Sequence, residues 1–486
     1  MSQANRQLAS VKSAIERELK LTVAAGFKLP PLKGARLPAK LLTSVYFDTP
    51  DLRLARARIT LRHRTQGRKS AWQLKLPLDC GRREVEMPGT SSAPPPQILD
   101  LLFLHLQNGT VQPVATLRTR RTGVRVGGSR GADVVLDEVA ILKESSEVLI
   151  FREVEIEQLD GDASLVKRLE KTLRKAGATD HDGRPKIFRA LDLPAPQRPA
   201  PPDSNAHAGA HLRYILGRQL DTMLSRDPGV RLGGDNEDVH QMRVATRRMR
   251  SVLRVARPLL KSGWEAPLRD KLGWLGRQLG EARDLDVQIA YFKGQSESVK
   301  PRDRAALERF LEYLQKKRSK VQQQLISHLR RRRYVTLINR LIPAVRDPAM
   351  VPNTDATLPD LARKAFRKVR KAVKDLDDSA SNAKWHCVRI RTKRARYAAE
   401  LSESCSGRAA TRFIDKIKLI QDQLGDIQDA VIAEDHLRRF TSKTSRHSAL
   451  LAGQMIERQR QRRRQAKRAF YSTWKQVKKC GKEAWR

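Results

Sequence analysis

Residues 16–20 read ERELK, and how those five residues are read decides the fold of the first half of the chain. On a β-strand successive side chains point to opposite faces, so Glu16, Glu18 and Lys20 share one face while Arg17 and Leu19 share the other. An isolated E-x-E-x-K can lie harmlessly on a solvated strand. Here the arrangement recurs: Arg62 and Arg64 share a face in TLRHR, Arg118 and Arg120 in LRTRR, and Glu153, Glu155 and Glu157 in REVEIEQ. The intervening residues Leu19, Leu61, Val154 and Ile156 are apolar. Buried charges of both signs are costly unless paired or metal-bound, so the charged faces must look into something wet or ligand-filled. A closed antiparallel barrel with a polar interior meets that requirement.

Working outward, the strand pattern holds through the first half. LKLTV, SVYFD, RITLRHR, AWQLKL, REVEM, ATLRTRR, GVRVG, DVVLDEV and VLIFREVEIEQL are short alternating runs separated by Gly, Pro, Asp or Ser. PPQILDLLFLHLQ and SLVKRLEKTLRKAG read as helices. LPAPQRPAPPDSN (193–205) is Pro-rich and aperiodic, a stiff linker. Beyond it the apolar period is almost entirely helical. The expected architecture is α+β in two domains: a barrel domain over 1–195, a linker over 196–204 and an all-α domain over 205–486.

Charge separates the two halves as well. The 486 residues carry a net charge of +44; residues 1–200 hold 34 Lys and Arg against 22 Asp and Glu, whereas residues 201–486 hold 63 against 31. The second half therefore suits a polyanion: nucleic acid, inorganic polyphosphate or an anionic membrane. Four scattered cysteines, Cys80, Cys387, Cys405 and Cys480, have no metal-ligand spacing and fit a reducing compartment. The N-terminal residues lack an apolar core, and no run of about 18 apolar residues occurs, so a cytoplasmic protein with no membrane partner is expected.

The helical half carries its own signature. In HQMRVATRRMRSVLR (240–254), His240, Arg243, Arg247, Arg250 and Arg254 step by three or four along one helix face. Met242, Ala245, Met249 and Val252 form a neighbouring apolar stripe that a core would take. A basic stripe alone reads equally well as a solvated face. The segment recurs, however: HCVRIRTKRAR begins at His386 and again places His386, Arg389, Lys393 and Arg396 on one face, while LGEARDLDV (279–287) returns as LGDIQDAVI (424–432). A solvated face has no need to recur with its histidine in register, which favours a ligand surface built by two related helical bundles.

The first-half motifs ERELK, YFDTPDLRL, LRHR, WQLKLP, REVEM, LRTRR, VVLDEV, REVEIEQLDG and RPKIFRAL, in that order over about residues 14–195, resemble the CYTH family of triphosphate tunnel enzymes. The resemblance implies an eight-stranded barrel that hydrolyses inorganic triphosphate, thiamine triphosphate or RNA 5′-triphosphates, or makes cyclic AMP. It further implies that Lys20, Arg62, Arg64, Lys75, Arg118, Arg120, Lys186 and Arg189 bind phosphate oxygens. Glu16, Glu18, Asp137, Glu153, Glu155 and Glu157 would hold Mg²⁺ or Mn²⁺, with Glu16, Glu18 and Lys20 at the catalytic centre. Hard carboxylate ligands suit those ions, and bases in a cleft suit a triphosphate. Asp137 and Glu138 are adjacent, so one of them faces the tunnel, and Asp137 is the expected one. Which of the three later glutamates ligate stays open. Pro185 stands where the family usually has serine, a change expected to act locally on the Lys186 loop.

The paired His–Arg helices, each followed some 40 residues later by an LG-acidic segment, resemble the CHAD domain over about residues 205–480. That resemblance implies an all-α fold of two four-helix bundles with a basic groove for long-chain inorganic polyphosphate, lined by His240, Arg243, Arg247, Arg250, His386, Arg389, Lys393 and Arg396. Nucleic acid is the second choice of partner, because the stripes contain no aromatic residue on which bases could stack. No protein partner is expected. The lone His105 and His181 are expected to be structural or solvated, and the basic tail 458–479 either extends the groove or is a solvated end. The combined expectation is a metal-dependent inorganic triphosphatase fused to a polyphosphate binder, with association to polyphosphate granules. A non-catalytic polyphosphate-binding or granule-targeting protein is the alternative.

Overall fold

The computed structural model describes residues 12–78, 81–107, 109–143, 146–159, 163–195, 199–352, 354–377, 379–441 and 445–485. Cys80 and residues 196–198 of the expected linker lie outside them. The chain divides into two compact units, Met1–Arg198 and Pro199–Arg486.

The first unit is a closed antiparallel barrel. Its strands are β1 (Lys12–Thr22), β2 (Ala35–Asp48), β3 (Thr60–Gln66), β4 (Lys69–Pro77), β5 (Arg82–Pro88), β6 (Gln112–Val126), β7 (Ala132–Lys143) and β8 (Ser146–Gln158). They follow one another around the wall as β5-β4-β3-β2-β6-β7-β8-β1, and pairing of β1 with β5 closes the ring. A two-residue β9 (Thr179–Asp180) adds to β1. The runs ATLRTRR and GVRVG, separate in the sequence pattern, join into the single strand β6.

Closure puts the alternating residues to use. The outward-facing Leu21, Val134, Val154 and Ile156 pack under Leu169 and Leu173 of a helix over Ala163–Lys175, forming one core on the outside of the barrel. The charged residues of the same strands are thereby turned inward. At one end Leu117, Val139 and Ile141 meet Ile187 and Phe188 of the short helix Lys186–Ala190, which brings Lys186 to the interior. The expected helix over 95–107 is two shorter ones, Pro96–Leu101 and Phe103–Leu106.

Gly123 lets β6 and β7 approach closely. A Cβ built there would lie 2.5 Å from the carbonyl oxygen of Val134, a backbone atom that the sheet holds in place. Gly123→Ala is therefore expected to destabilise the barrel by roughly 1–3 kcal/mol. The check is the urea midpoint of the full chain, and an unchanged midpoint would show that the strands can part there.

The second unit is all helical. Elements of 15 to 60 residues succeed one another: α1 (Ala208–Leu232), α2 (Asn236–Val255), α3 (Glu265–Gly294), α4 (Arg304–Arg330), α5 (Arg332–Arg346), α6 (Leu358–Lys374), α7 (Asn382–Thr441) and α8 (Arg446–Ala484). Gly407, at φ 64° and ψ −163°, breaks α7 into two helices, a conformation that suits a residue without Cβ. The sequence repeat becomes structural here. Arg-bearing α2 packs with α3, α7 packs with α6, and the two halves of α7 meet through His386 on Gln428 and Arg396 on Gln421. Met242, Ala245, Thr246 and Met249 are buried, as are Val388, Thr392, Ala395 and Ala399, so each basic helix keeps an apolar side in a core.

Candidate functional site

Strand register assembles the barrel interior. Residues directly opposite on antiparallel strands share a face. Lys20 lies opposite Glu155 and Glu18 opposite Glu157, while Asp137 lies opposite both Glu153 and Arg121. Asp137, Glu153 and Glu155 are each at most 3% exposed, and one carboxylate oxygen from each lies within 4.8 Å of the others. Three bases cross this cluster. Lys186 contacts Asp137 and lies 3.1 Å from Glu155 and 3.3 Å from Glu153. Lys20 contacts Glu155 and lies 3.3 Å from Glu153. Arg121 grips Asp137 at 2.7 and 2.8 Å and reaches Glu155 at 2.5 Å and Glu157 at 2.6 Å.

The electrostatics follow from that mesh. Burial opposes charge on Glu155, yet Lys186, Lys20 and Arg121 outweigh it and hold the carboxyl well below its ordinary range. Asp137 and Glu153 are lowered in the same way against their burial, chiefly by Lys186. Glu157, with less compensation for its burial, is raised. Lys20 is pushed up despite burial by Glu155, Glu18 and Glu153.

Beside the carboxylates stands a wall of bases. Lys75 holds both oxygens of Glu16 at 2.6 and 2.8 Å. Arg62 donates to Gln73 at 2.9 Å and to the Tyr46 hydroxyl at 3.2 Å. Arg64 has a buried Nε without a hydrogen-bond partner, and burial together with neighbouring Arg62 pushes its guanidinium down to about 10. Among the described residues, seven bases and five carboxylates line the cavity beside this cluster: Lys20, Arg62, Arg64, Lys75, Arg82, Arg121 and Lys186 against Glu16, Glu18, Glu84, Glu155 and Glu157.

Three expected residues stand elsewhere. Arg118 and Arg120 are exposed on the outer face of β6, and Arg118 lies 3.7 Å from exposed Glu147. Strand parity explains the correction: Leu117, Thr119 and Arg121 point inward, so the even-numbered arginines cannot. Arg121, the last letter of LRTRR, is the interior base that the sequence reading passed over. Its register with Asp137 could have revealed it. Arg189 is also outside the cavity lining; its guanidinium sits 4.7 Å above the Phe151 ring and 3.1 Å from Asp182. Glu138 faces outward and pairs with Arg152, leaving Asp137 inside. His181 belongs to this neighbourhood, with Nε2 standing 3.5 Å from Glu153 Oε2.

The chemistry of the donor set fits a hard divalent cation. Glu153 Oε2 is buried without a hydrogen-bond partner, His181 Nε2 standing 3.5 Å away, so this carboxylate keeps acceptor capacity beyond what Lys20 and Lys186 take at Oε1.

In the helical unit the two basic stripes converge. Lys393 is 8% exposed, and Arg247, Arg389 and Arg243 surround it; burial and those neighbours push its ammonium down to about 5. Arg243 lies 3.4 Å from Asp284, and Arg247 donates to the Tyr397 hydroxyl at 3.3 Å. The Nε of Arg389 is buried without a hydrogen-bond partner. The outer members of each stripe are more engaged. Arg396 pairs with Glu400 at 2.8 Å and reaches Gln421 at 3.2 Å, and His386 bonds Gln428 at 2.9 Å. The Arg250 guanidinium packs over Gly273. His240 is lowered by burial and by Arg283. The basic tail lies in α8, where Arg462 pairs with Asp426 at 2.6 Å.

A tunnel-like barrel with buried carboxylates and bases, followed by a doubled basic helical unit, defines a two-domain class, and comparison with known proteins agrees. The CYTH domain family matches residues 14–186 and the CHAD domain family matches residues 214–438. The chain belongs to the proteins that join a CYTH domain of the triphosphate tunnel type to a CHAD domain. MT2285 of Mycobacterium tuberculosis is 31% identical over 438 residues, covering 82% of each chain. The CHAD domain of the plant Ricinus communis is 24% identical with a TM-score of 0.49, covering 57% of this chain and 94% of that one. HpAC1 from Hippeastrum, described with a dominant triphosphatase activity, is 19% identical with a TM-score of 0.25, covering 37% and 96%. No helix among the described residues is long and apolar enough to cross a membrane.

Proposed function

We propose that the barrel hydrolyses inorganic triphosphate to diphosphate and phosphate with Mg²⁺ or Mn²⁺, and that the helical unit binds long-chain inorganic polyphosphate. The observation that carries the first part is the juxtaposition of Asp137, Glu153 and Glu155 with the base wall of Arg62, Arg64 and Lys75 in one interior. Asp137, Glu153 and Glu155 would hold the ion, with Glu18 on adjoining β1 opposite Glu157 and Glu16 held by Lys75 of the base wall. When bound, the ion supplies Lewis-acid neutralisation of phosphoryl charge. The chain's own residues do the rest. Arg62, Arg64 and Lys75 take the phosphate oxygens and fix the chain along the interior, where positioning and charge stabilisation dominate phosphoryl transfer. Lys20, Lys186 and Arg121 bridge the carboxylates and the substrate and keep the acids ionised.

Tyr46 is the one aromatic ring among the described residues lining the cavity; it is 4% exposed, and the Arg62 guanidinium lies over its ring at 5.9 Å. That leaves no ring free to stack a nucleobase, which supports an inorganic substrate over a nucleoside triphosphate. The test is phosphate release from tripolyphosphate beside ATP and thiamine triphosphate, with and without Mg²⁺.

Because the barrel closes on itself, a fragment of residues 1–195 is expected to retain that hydrolysis. A folded but inactive fragment, judged by its circular dichroism, would assign part of the site to the helical unit.

For the second part, the convergence of Arg243, Arg247, Arg389 and Lys393 is the supporting feature. It also gives a pH signature. Folded Lys393 sits at about 5, so at neutral pH it meets a ligand without its proton. A polyanion favours the charged ammonium, so binding draws a proton in, against the repulsion of Arg243, Arg247 and Arg389 and with help from Asp429. Polyphosphate affinity should therefore rise as pH falls from neutrality and level off below about 5. Titration calorimetry in two buffers of different ionisation heat should reveal proton uptake that Lys393→Met reduces. Equal heats in both buffers would contradict the assignment.

A further inference from the structure

The barrel holds a second, larger cavity of about 610 Å³ that the triphosphatase reading does not use. It shares Arg64, Gln73 and Arg121 with the carboxylate-bearing cavity and continues from them toward the β3–β4 hairpin. Position along the strands orders the two. Thr60, Arg62 and Arg64 of β3 line the first cavity, and Arg64, Gln66 and Arg68 line the second. From Arg62 to Gln66 the strand advances about 13 Å, at roughly 3.3 Å per residue. The opposite end is packed by Ile187 and Phe188, so the second cavity is the open direction for a chain whose end lies at the carboxylates.

Charge along this axis is polarised. Lys40, Arg68 and Lys69 join Arg64 and Arg121 in the second cavity, while Glu86 is its one carboxylate among the described residues and accepts from Gln73 at 2.7 Å. At the junction stands Arg64, with its buried Nε unpartnered. A site for three phosphates has its bases, and Glu155 of the ion ligands, in the first cavity already. Bases continuing past it, without metal ligands, match further phosphates of the same chain.

The geometry points to the second cavity as a phosphate-binding vestibule that holds the trailing phosphates of linear polyphosphates longer than three, so that the barrel removes orthophosphate from chain ends. This rests on the triphosphatase reading and extends its substrate class. In the step, the oxygen of water bonds to the terminal phosphorus and the bridging P–O bond breaks. Its electron pair leaves on the shortened chain, and the proton released by water passes to solvent.

The experiment compares turnover of tripolyphosphate, tetrapolyphosphate and longer chains by the full protein. To remove capture by the helical unit, every protein carries Arg243→Gln, Arg247→Gln, Arg389→Gln and Lys393→Gln. Lys40→Gln with Arg68→Gln and Lys69→Gln should lower kcat/KM on longer chains by about tenfold or more while leaving tripolyphosphate unchanged. The charge-keeping set Lys40→Arg, Arg68→Lys, Lys69→Arg should restore long-chain turnover. Hydrolysis of tripolyphosphate without turnover of longer chains overturns the inference, as does long-chain turnover indifferent to the three charges. Absence of tripolyphosphate hydrolysis from the parent protein instead removes the underlying reading and this extension with it.

Discussion

Glu155→Gln is expected to lower metal-dependent tripolyphosphate turnover by about 10²-fold or more, through loss of charge stabilisation at the ion. The residue is 3% exposed, faces Asp137 and Glu153, and is contacted by Lys20, Lys186 and Arg121. Removing its charge weakens the grip on a cation and leaves three buried bases sharing fewer acceptors. The matched control is Glu138→Gln on the outer face, where the carboxylate pairs with Arg152. That variant should turn over as the parent does. Similar rates for the two variants would mean that the interior carboxylates are structural ion-pair partners and that the ion, if any, binds elsewhere. Circular dichroism and the urea midpoint of Glu155→Gln separate lost chemistry from lost fold.

The second large effect belongs to the helical unit. Neutralising Arg243, Arg247, Arg389 and Lys393 together should weaken long-chain polyphosphate binding by several orders of magnitude at low salt. It should also flatten the salt dependence, by analogy with about one unit of log–log slope per phosphate contact on duplex DNA. Tripolyphosphate hydrolysis should be nearly unchanged, because these residues belong to α2 and α7 and not to the barrel. The structure narrows the choice to these four. Arg396 is already committed to Glu400, and Arg250 packs on Gly273, so their neutralisation should matter less. Equal affinity in the parent and the quadruple variant would return the stripes to solvated faces. A preference for duplex DNA over polyphosphate in competition would move the unit to the nucleic-acid class.

How much of this was legible in the sequence depends on what kind of information each element needed. The barrel was legible because period-two alternation is a local property: ERELK and REVEIEQ each declare a charged and an apolar face without reference to partners. The doubled helical unit was legible because the repeat preserved its histidines and arginines in step. Parity was legible too, where a strand was read through its whole length. LRTRR misled because Arg118, Arg120 and Arg121 offer two choices of face, and only the run through Thr119, Arg121 and Gly123 opposite Asp137 resolves it. Arg189 misled for a different reason. It lies in a five-residue helix, whose side-chain directions depend on how Ile187 and Phe188 plug the barrel. Long-range partnerships such as Arg248 on Glu400, or Tyr397 beside Arg247, depend on packing between distant helices and leave no local mark. Arg396 and Glu400, by contrast, are four residues apart on one helix and could have been read as a pair.

The central claim is that the barrel is a metal-dependent hydrolase of inorganic triphosphate, and phosphate release from pure tripolyphosphate by the full chain tests it most directly. With Mg²⁺ or Mn²⁺ present, the account predicts stoichiometric formation of phosphate and diphosphate, abolished by chelation and restored by readdition of the ion. Intact tripolyphosphate after prolonged incubation with either ion, from protein that binds it tightly, would contradict the account and make the barrel a binder.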